Sequence, residues 1–233
     1  MAESCLLYYI TDRTAFAADE PSRRRRLLEK ISEAARAGVD YIQLREKDLP
    51  IRDLESLARE AVNTICEARK LATDHSPPAT ALLINSRTDI ALAVQADGVH
   101  LRSTDLSPQK AIAIWTKCVE AKCGAGAPAR ANSPQQPLIA VSCHSPEEVA
   151  QAAASPATFA VFAPVFEKKN ARPAGINLLH EACQKDIPVL ALGGVTLANA
   201  HTCLEAGAAG IAAIRLFQES NIAEVVKRLR SNS

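Results

Sequence analysis

Hydrophobic positions along the chain follow two periods that take turns. Short apolar runs at 6–10, 41–44, 81–84, 98–101, 138–141, 159–162, 189–192 and 210–214 have the length and density of buried strands. Between them, segments 22–37, 51–71, 88–94, 108–116, 146–154, 177–185, 197–206 and 222–229 are Ala-rich or repeat apolar residues at helical spacing. The punctuation agrees with this reading. Asp48-Leu49-Pro50 and Ser145-Pro146 have the form of helix starts, and Gly38 and Gly207 follow helices as C-terminal caps. Eight strands, each followed by a helix, predict an α/β fold, a (β/α)8 TIM barrel formed as a single domain over residues 1–233. An open doubly wound sheet is the competing architecture, but it calls for fewer strands or a topological switch point. No Gly-x-Gly-x-x-Gly follows the first strand.

Two stretches break the rhythm. Segments 73–80 and 117–137 are rich in Pro, Ala, Gly and Ser. The second is long for a helix-to-strand connection and is expected to be a mobile loop on the face away from the strand C-termini. Arg residues fill positions 23–26, a run read as a solvated helix face.

In a barrel of this kind the chemistry gathers where the strands end. Strand alternation puts Gln43 and Arg45 on one face of the second strand and Ile42 and Leu44 on the other, with Lys47 just beyond. The other strand ends contribute Asn85-Ser86-Arg87, then His100, Arg102, Ser103 and Asp105, then Ser142-Cys143-His144. Glu167-Lys168-Lys169 with Arg172, Gly193-Gly194 and Arg215 complete the rim. Cations and hydrogen-bond donors outnumber carboxylates, which suits a phosphorylated ligand. Gly193-Gly194 and the start of the segment after strand eight are placed to let backbone N–H groups approach phosphate oxygens.

Several of these residues have plainer readings. The plainer reading of Glu46 is a pair with Arg45 or Lys47. His100, just before a strand end, reads equally as a hydrogen-bonded core histidine or as a site group. Cys143 alternates away from Ser142 and His144 and reads as a packed thiol. His144 lies in a rim turn and reads as functional. His75, His180 and His201 fall on a loop or on helices away from the rim.

Composition narrows the classes. A formal charge of +1 provides no basic field for nucleic acid. The seven scattered cysteines form no Cys-x-x-Cys, so neither a disulfide framework nor a zinc site is expected, and a reducing cytoplasmic setting fits. Residues 1–10 do not read as a signal peptide, and no apolar run approaches membrane-spanning length, so no membrane partner is expected.

Eight blocks then occur in a telling order: Ile10-Thr11-Asp12-Arg13, Gln43-Leu44-Arg45-Glu46-Lys47, Ile84-Asn85-Ser86-Arg87, Asp97-Gly98-Val99-His100-Leu101, Val141-Ser142-Cys143-His144, Ala163-Pro164-Val165-Phe166, Ala191-Leu192-Gly193-Gly194-Val195 and Gly207-Ala208-Ala209-Gly210-Ile211-Ala212. In order and spacing they resemble thiamine phosphate synthases and the closely similar thiazole tautomerases, over nearly the whole chain. The resemblance implies a transferase of thiamine biosynthesis. Hydroxymethylpyrimidine diphosphate would lose pyrophosphate through a dissociative, cation-like transition state, and a thiazole phosphate nitrogen would take its place. It further implies that Gln43, Arg45 and Lys47 hold pyrimidine and diphosphate, with Asn85 and Ser142 on the diphosphate side. Lys168 and Lys169 would serve on the loop after strand six. Gly193, Gly194 and Ile214 would lie against the thiazole phosphate, with Arg215 beside them. Asp105 would bind Mg²⁺, and a homodimer follows by analogy. Arg45, Lys47, Ser142, His144 and Lys168 are the candidate catalytic groups.

Three departures from the family pattern stand out. Asn85-Ser86-Arg87 replaces Asn-Asp-Arg, whose Asp binds magnesium, and a neutral hydroxyl is a poor substitute there. Glu167-Lys168-Lys169-Asn170 replaces Thr-x-Thr-Lys. Arg215 replaces a small Ser, and could either bind phosphate more strongly or block the usual pose. Ser86 and His144 lean toward a tautomerase, in which His144 would move a proton to aromatise a thiazole carboxylate phosphate without a metal. Gln43, Lys47 and Asp105 lean toward the synthase. A third alternative is a binder of thiamine-phosphate-type ligands without turnover.

Overall fold

The computed structural model describes residues 5–70, 80–124, 136–166 and 173–231. Eight strands form a closed, all-parallel barrel in sequence order: β1 (Leu6–Ile10), β2 (Tyr41–Leu44), β3 (Ala81–Asn85), β4 (Gly98–Leu101), β5 (Leu138–Cys143), β6 (Phe159–Phe162), β7 (Val189–Leu192) and β8 (Gly210–Ala213), with β8 paired back onto β1. The helices are α1 (Glu20–Ala37), α2 (Ile51–Lys70), α3 (Thr88–Val94), α4 (Pro108–Gly124), α5 (Pro146–Ala153), α6 (Gly175–Cys183), α7 (Ala200–Glu205), α8 (Arg215–Gln218) and α9 (Ile222–Ser231).

Strand alternation divides the apolar residues into two cores. One fills the barrel and contains Tyr8, Ile10, Leu83, Ala140, Phe159, Val161, Leu190 and Ala212. Tyr8 and Tyr41 both pack on Phe159, with ring centroids at 5.4 and 4.6 Å. The other lies between sheet and helices and takes Ile42, Leu44, Val99, Ile139, Val141 and Cys143 from the outward faces. Helix α2 meets this layer through Leu54, Leu57, Ala58, Ala61, Val62 and Ile65, a single stripe at helical spacing.

Local signals set the helix ends. The Asp19 carboxylate accepts from the Ser22 N–H to open α1, and Gly38, at φ 82°, closes it in the left-handed conformation that a side chain disfavours. Ser145 caps α5 in the same way, with Pro146 in the first turn.

One expectation needs correction. Residues 117–124 are not part of a loop, because α4 runs on to Gly124. Lys117, Glu120, Ala121 and Lys122 are good helix formers and carry the helix on, and 125–135 lie outside the described residues. The segment after β8 forms the short helix α8 before α9 begins. Of the 23–26 arginine run, Arg25 and Arg26 are exposed. Arg24 instead pairs with Glu60 on α2 at 2.6 Å, and Arg23 donates to the Phe16 carbonyl. No helix among the described residues is long and apolar enough to cross a membrane. Six described cysteines (Cys5, Cys66, Cys118, Cys143, Cys183 and Cys203) are free thiols.

Candidate active site

The C-terminal mouth is organised by an interlock between the ends of β1 and β2. Glu46 is buried and takes hydrogen bonds from the Thr11 hydroxyl at 2.5 Å and the Arg13 N–H at 3.0 Å. The Arg13 guanidinium reaches Glu46 at 3.2 Å and Asp48 at 2.7 Å, and its Nε donates to Glu20. Thr11 Oγ1 also accepts from the Arg45 N–H. Glu46 therefore pairs with Arg13, a partner that the plainer reading did not name. A buried carboxylate in this barrel is satisfied from the neighbouring β1 loop rather than from its own solvent-facing neighbours. The consequence is that Arg45 is left to face the mouth from a rigid base, with Lys47 exposed at the rim. Burial holds Arg45 below the ordinary guanidinium range; Asp12 and Glu46 pull the other way, and Arg102 adds to the lowering.

Inside the mouth, Gln43 is buried and its amide donates to Asn85 Oδ1 at 2.9 Å. Asn85 passes a hydrogen bond to Ser86 Oγ at 3.2 Å. Ser86, at φ 61°, also accepts from Arg102 Nε at 2.9 Å. Arg102 in turn clasps Asp105: its backbone N–H and Nε reach Oδ2 at 2.7 and 3.3 Å, and Nη2 reaches Oδ1 at 3.0 Å. Burial alone would raise Asp105, but the hydrogen bonds from Arg102 and Ser86 together hold it below the usual carboxylate range.

A second chain starts deep in the barrel. Tyr8, fully buried, meets His100 Nδ1 at 3.1 Å, and His100 Nε2 meets Ser142 Oγ at 2.7 Å. Burial keeps the Tyr8 phenol protonated, so its O–H needs an acceptor, and the neutral Nδ1 is that acceptor. Nε2 then carries the ring proton and donates to Ser142, which leaves the serine proton to point elsewhere. His100 is neutral because burial, with Arg45 adding to it, lowers it to about 3. His100 thus serves both of its sequence readings, as a core histidine and as the orienter of a mouth hydroxyl.

Elsewhere on the rim, the exposed His144 donates from Nδ1 to the Ala163 carbonyl at 2.6 Å, which leaves Nε2 as the basic atom of the neutral ring. Cys143 is packed outward as read, and burial pushes its thiol up to about 12. Gly193 and Gly194 have φ of 99° and 67°, and a methyl group on Gly193 would lie 2.8 Å from Pro164. The Gly193 carbonyl accepts from Phe166 N–H and that of Gly194 from Asn199 Nδ2, so the next N–H groups along the chain face the opposite way. Ile214 precedes α8 and Arg215 is its exposed first residue. Lys168 and Lys169, with Glu167, Asn170 and Arg172, lie outside the described residues, as does His75.

Sequence reasoning overlooked Tyr8 and assigned no role to Arg102. Tyr8 carried a signal: it alternates with Leu6 and Ile10 on the inward face, at a depth where a hydroxyl needs a partner. Arg102 carried a weaker one, because its spacing of three from Asp105 is also ordinary surface pairing.

Known proteins bear on this arrangement. A family profile described as thiamine monophosphate synthase matches residues 7–120 and 119–217. The chain belongs to this family. Among its curated relatives, the thiamine-phosphate synthase of Syntrophomonas wolfei is 33% identical over 96% of this chain and 94% of its own. That of Roseiflexus castenholzii is 33% identical over 90% of this chain and 79% of its own. A solved thiamine phosphate pyrophosphorylase from Pyrococcus furiosus superposes with a TM-score of 0.73 at 27% identity, covering 99% of this chain and 96% of that one.

The magnesium expectation can be tested against the donor set. A hydroxyl has two acceptor sites, and those of Ser86 are taken by Asn85 and Arg102. The Asp105 carboxylate accepts three hydrogen bonds from Arg102. A magnesium site of one or two carboxylates would rest here on Asp105, which Arg102 already holds, with the neutral Ser86 hydroxyl beside it, and these residues do not fit a divalent cation.

Proposed function

We propose that the chain is a thiamine phosphate synthase, a transferase joining hydroxymethylpyrimidine diphosphate to thiazole phosphate. The observation that carries the reading is family membership together with one shared mouth onto which Gln43, Arg45, Asn85 and Ser142 converge. In the reaction, the bond from the pyrimidine methylene carbon to the diphosphate oxygen breaks. The diphosphate leaves with the electron pair. The thiazole nitrogen then gives its lone pair to the carbon, forming thiamine phosphate and pyrophosphate.

No strong nucleophile or base is required of the protein for this. Its tasks are to gather charge on the leaving group and to hold two rings in line. Arg45 and Lys47 supply cations on the diphosphate side, and the Ser142 hydroxyl, released by His100, supplies a donor. Gln43, fixed by Asn85, presents an oriented amide to the pyrimidine. Gly193, Gly194 and Ile214 serve the thiazole phosphate, with Arg215 as an added cation beside them. Lys168 and Lys169, which follow β6 in the sequence, add cations for the diphosphate. His144 is held in one tautomer at the rim but is not needed as an acid or base for this chemistry. The reading places the enzyme in the cytoplasm, consistent with its free thiols.

The test is direct. Purified protein mixed with both substrates should yield thiamine phosphate and equimolar pyrophosphate. Failure to do so, with conversion of the non-aromatic thiazole carboxylate isomer instead, would establish the tautomerase and displace this reading. Arg45→Ala should abolish synthase turnover, whereas His144→Ala should leave most of it.

A further inference from the structure

We propose that the Arg102 guanidinium does the work of a divalent cation at the diphosphate end of the site, so that turnover does not require metal. The proposal rests on the synthase reading and concerns the same mouth. A diphosphate leaving group brings several negative charges, and the site must offset them with something fixed in place.

The described residues offer Arg102 in that role. One edge of the guanidinium, Nε with Nη2, is clasped by Asp105 and Ser86. That grip, with the Arg102 backbone N–H on the same carboxylate, fixes the plane of the fork. Asp105 is almost covered, at 10% side-chain exposure, whereas Arg102 is 50% exposed. The cation is therefore open to solvent beside the strand ends while its anchor stays behind it. The Nη1 side has no protein hydrogen bond among the described residues, and a guanidinium edge binds phosphate oxygens in a bidentate manner. Arg45, at the end of β2, is lowered by burial first and by the Arg102 charge as well. Two like charges held together without an anion between them are unfavourable, and a bound diphosphate removes that repulsion. The Asp105 carboxylate is already neutralised by Arg102, and both acceptor sites of the Ser86 hydroxyl are already taken, so a metal would have to break up the cluster to enter.

Two measurements decide the matter. In the first, thiamine phosphate formation is followed in excess chelator and across a Mg²⁺ titration. In the second, calorimetry follows inorganic pyrophosphate binding in chelator. Turnover in chelator should stay within about threefold of the Mg²⁺ value, and pyrophosphate should bind without metal. Arg102→Gln, which keeps side-chain hydrogen bonds but not charge, should weaken metal-free pyrophosphate binding at least tenfold. The pair Ser86→Asp with Arg102→Gly should restore binding only when Mg²⁺ is present. Circular dichroism melts identify any variant that fails to fold, and the wild-type metal titration stands without them. Product formation that falls more than tenfold in chelator overturns the Arg102 proposal and leaves the synthase standing. Pyrophosphate binding in chelator that is indifferent to Arg102→Gln also overturns it. Arg102-dependent, metal-free pyrophosphate binding with no thiamine phosphate under any condition would instead sink the synthase reading and leave the anion site standing.

Discussion

At the scale of single residues, the mouth depends on protons held in particular places. Tyr8 donates to His100 and His100 donates to Ser142, so the serine proton is directed by a phenol two side chains away. Tyr8→Phe removes the first link, freeing the His100 ring to change tautomer and Ser142 to turn its proton inward. A lost hydrogen bond of this kind is worth about 1–1.5 kcal/mol, so kcat/KM should fall about tenfold, measured with the diphosphate as varied substrate. Ser142→Ala should produce a similar loss in a strain that folds normally. His100 also sets a pH dependence. Its folded value of about 3 lies below the unfolded one near 6.5, so unfolded chains take up a proton that folded chains refuse. The stabilising contribution is whole above pH 6.5 and is lost as pH falls toward 3, at up to about 1.4 kcal/mol per pH unit. Urea melts between pH 7 and pH 4.5 should show a steeper decline for the native protein than for His100→Gln.

At the scale of elements, the loops after β1 and β2 are one unit because Arg13 and Glu46 share a buried ion pair. Removing one partner strands the other charge away from water. Arg13→Ala should cost about 3–5 kcal/mol in chemical denaturation and loosen Arg45 at the same time. Replacing the pair together by Met and Gln should cost less, since no uncompensated charge remains. The turn after β7 is constrained differently. Gly193 combines a left-handed backbone with a close approach to Pro164, so Gly193→Ala should raise the KM for the thiazole phosphate more than that for the diphosphate. The same scale shows how far a linear reading reaches. All eight strands lie where apolar runs predicted them, because a strand covered on both faces has no choice but to be apolar. Helix α8 was missed because its four residues are too few to display a period. The extension of α4 was missed because 117–124 was read as one block with the Pro-, Ala-, Gly- and Ser-rich residues that follow it.

For the whole molecule, closing the sheet brings together strand ends that are more than 150 positions apart, from Gln43 to Gly194. The site is thus a property of the barrel and should be lost with it. A ligand that bridges the mouth should stabilise the entire fold. Thiamine phosphate at about one hundred times its dissociation constant adds about 2.7 kcal/mol, which for a chain of this size is a rise in Tm of about 5–10 °C. Scanning calorimetry with and without the product checks this, and Gly193→Ala, at the thiazole phosphate end, should shrink the shift.

Periodicity, turn residues and motif order in the bare sequence determined the strand count, the face on which Gln43 stands and the outward packing of Cys143. These follow from local geometry, since a side chain two positions along a strand must return to the same face. Partner choice was a different matter. Glu46 took Arg13 rather than Arg45, Tyr8 found His100 across the barrel, and Arg102 settled between Ser86 and Asp105. Each buried polar group pairs with whatever the closed sheet brings within reach, and that proximity comes from strand register and barrel closure, to which spacing along the chain is blind.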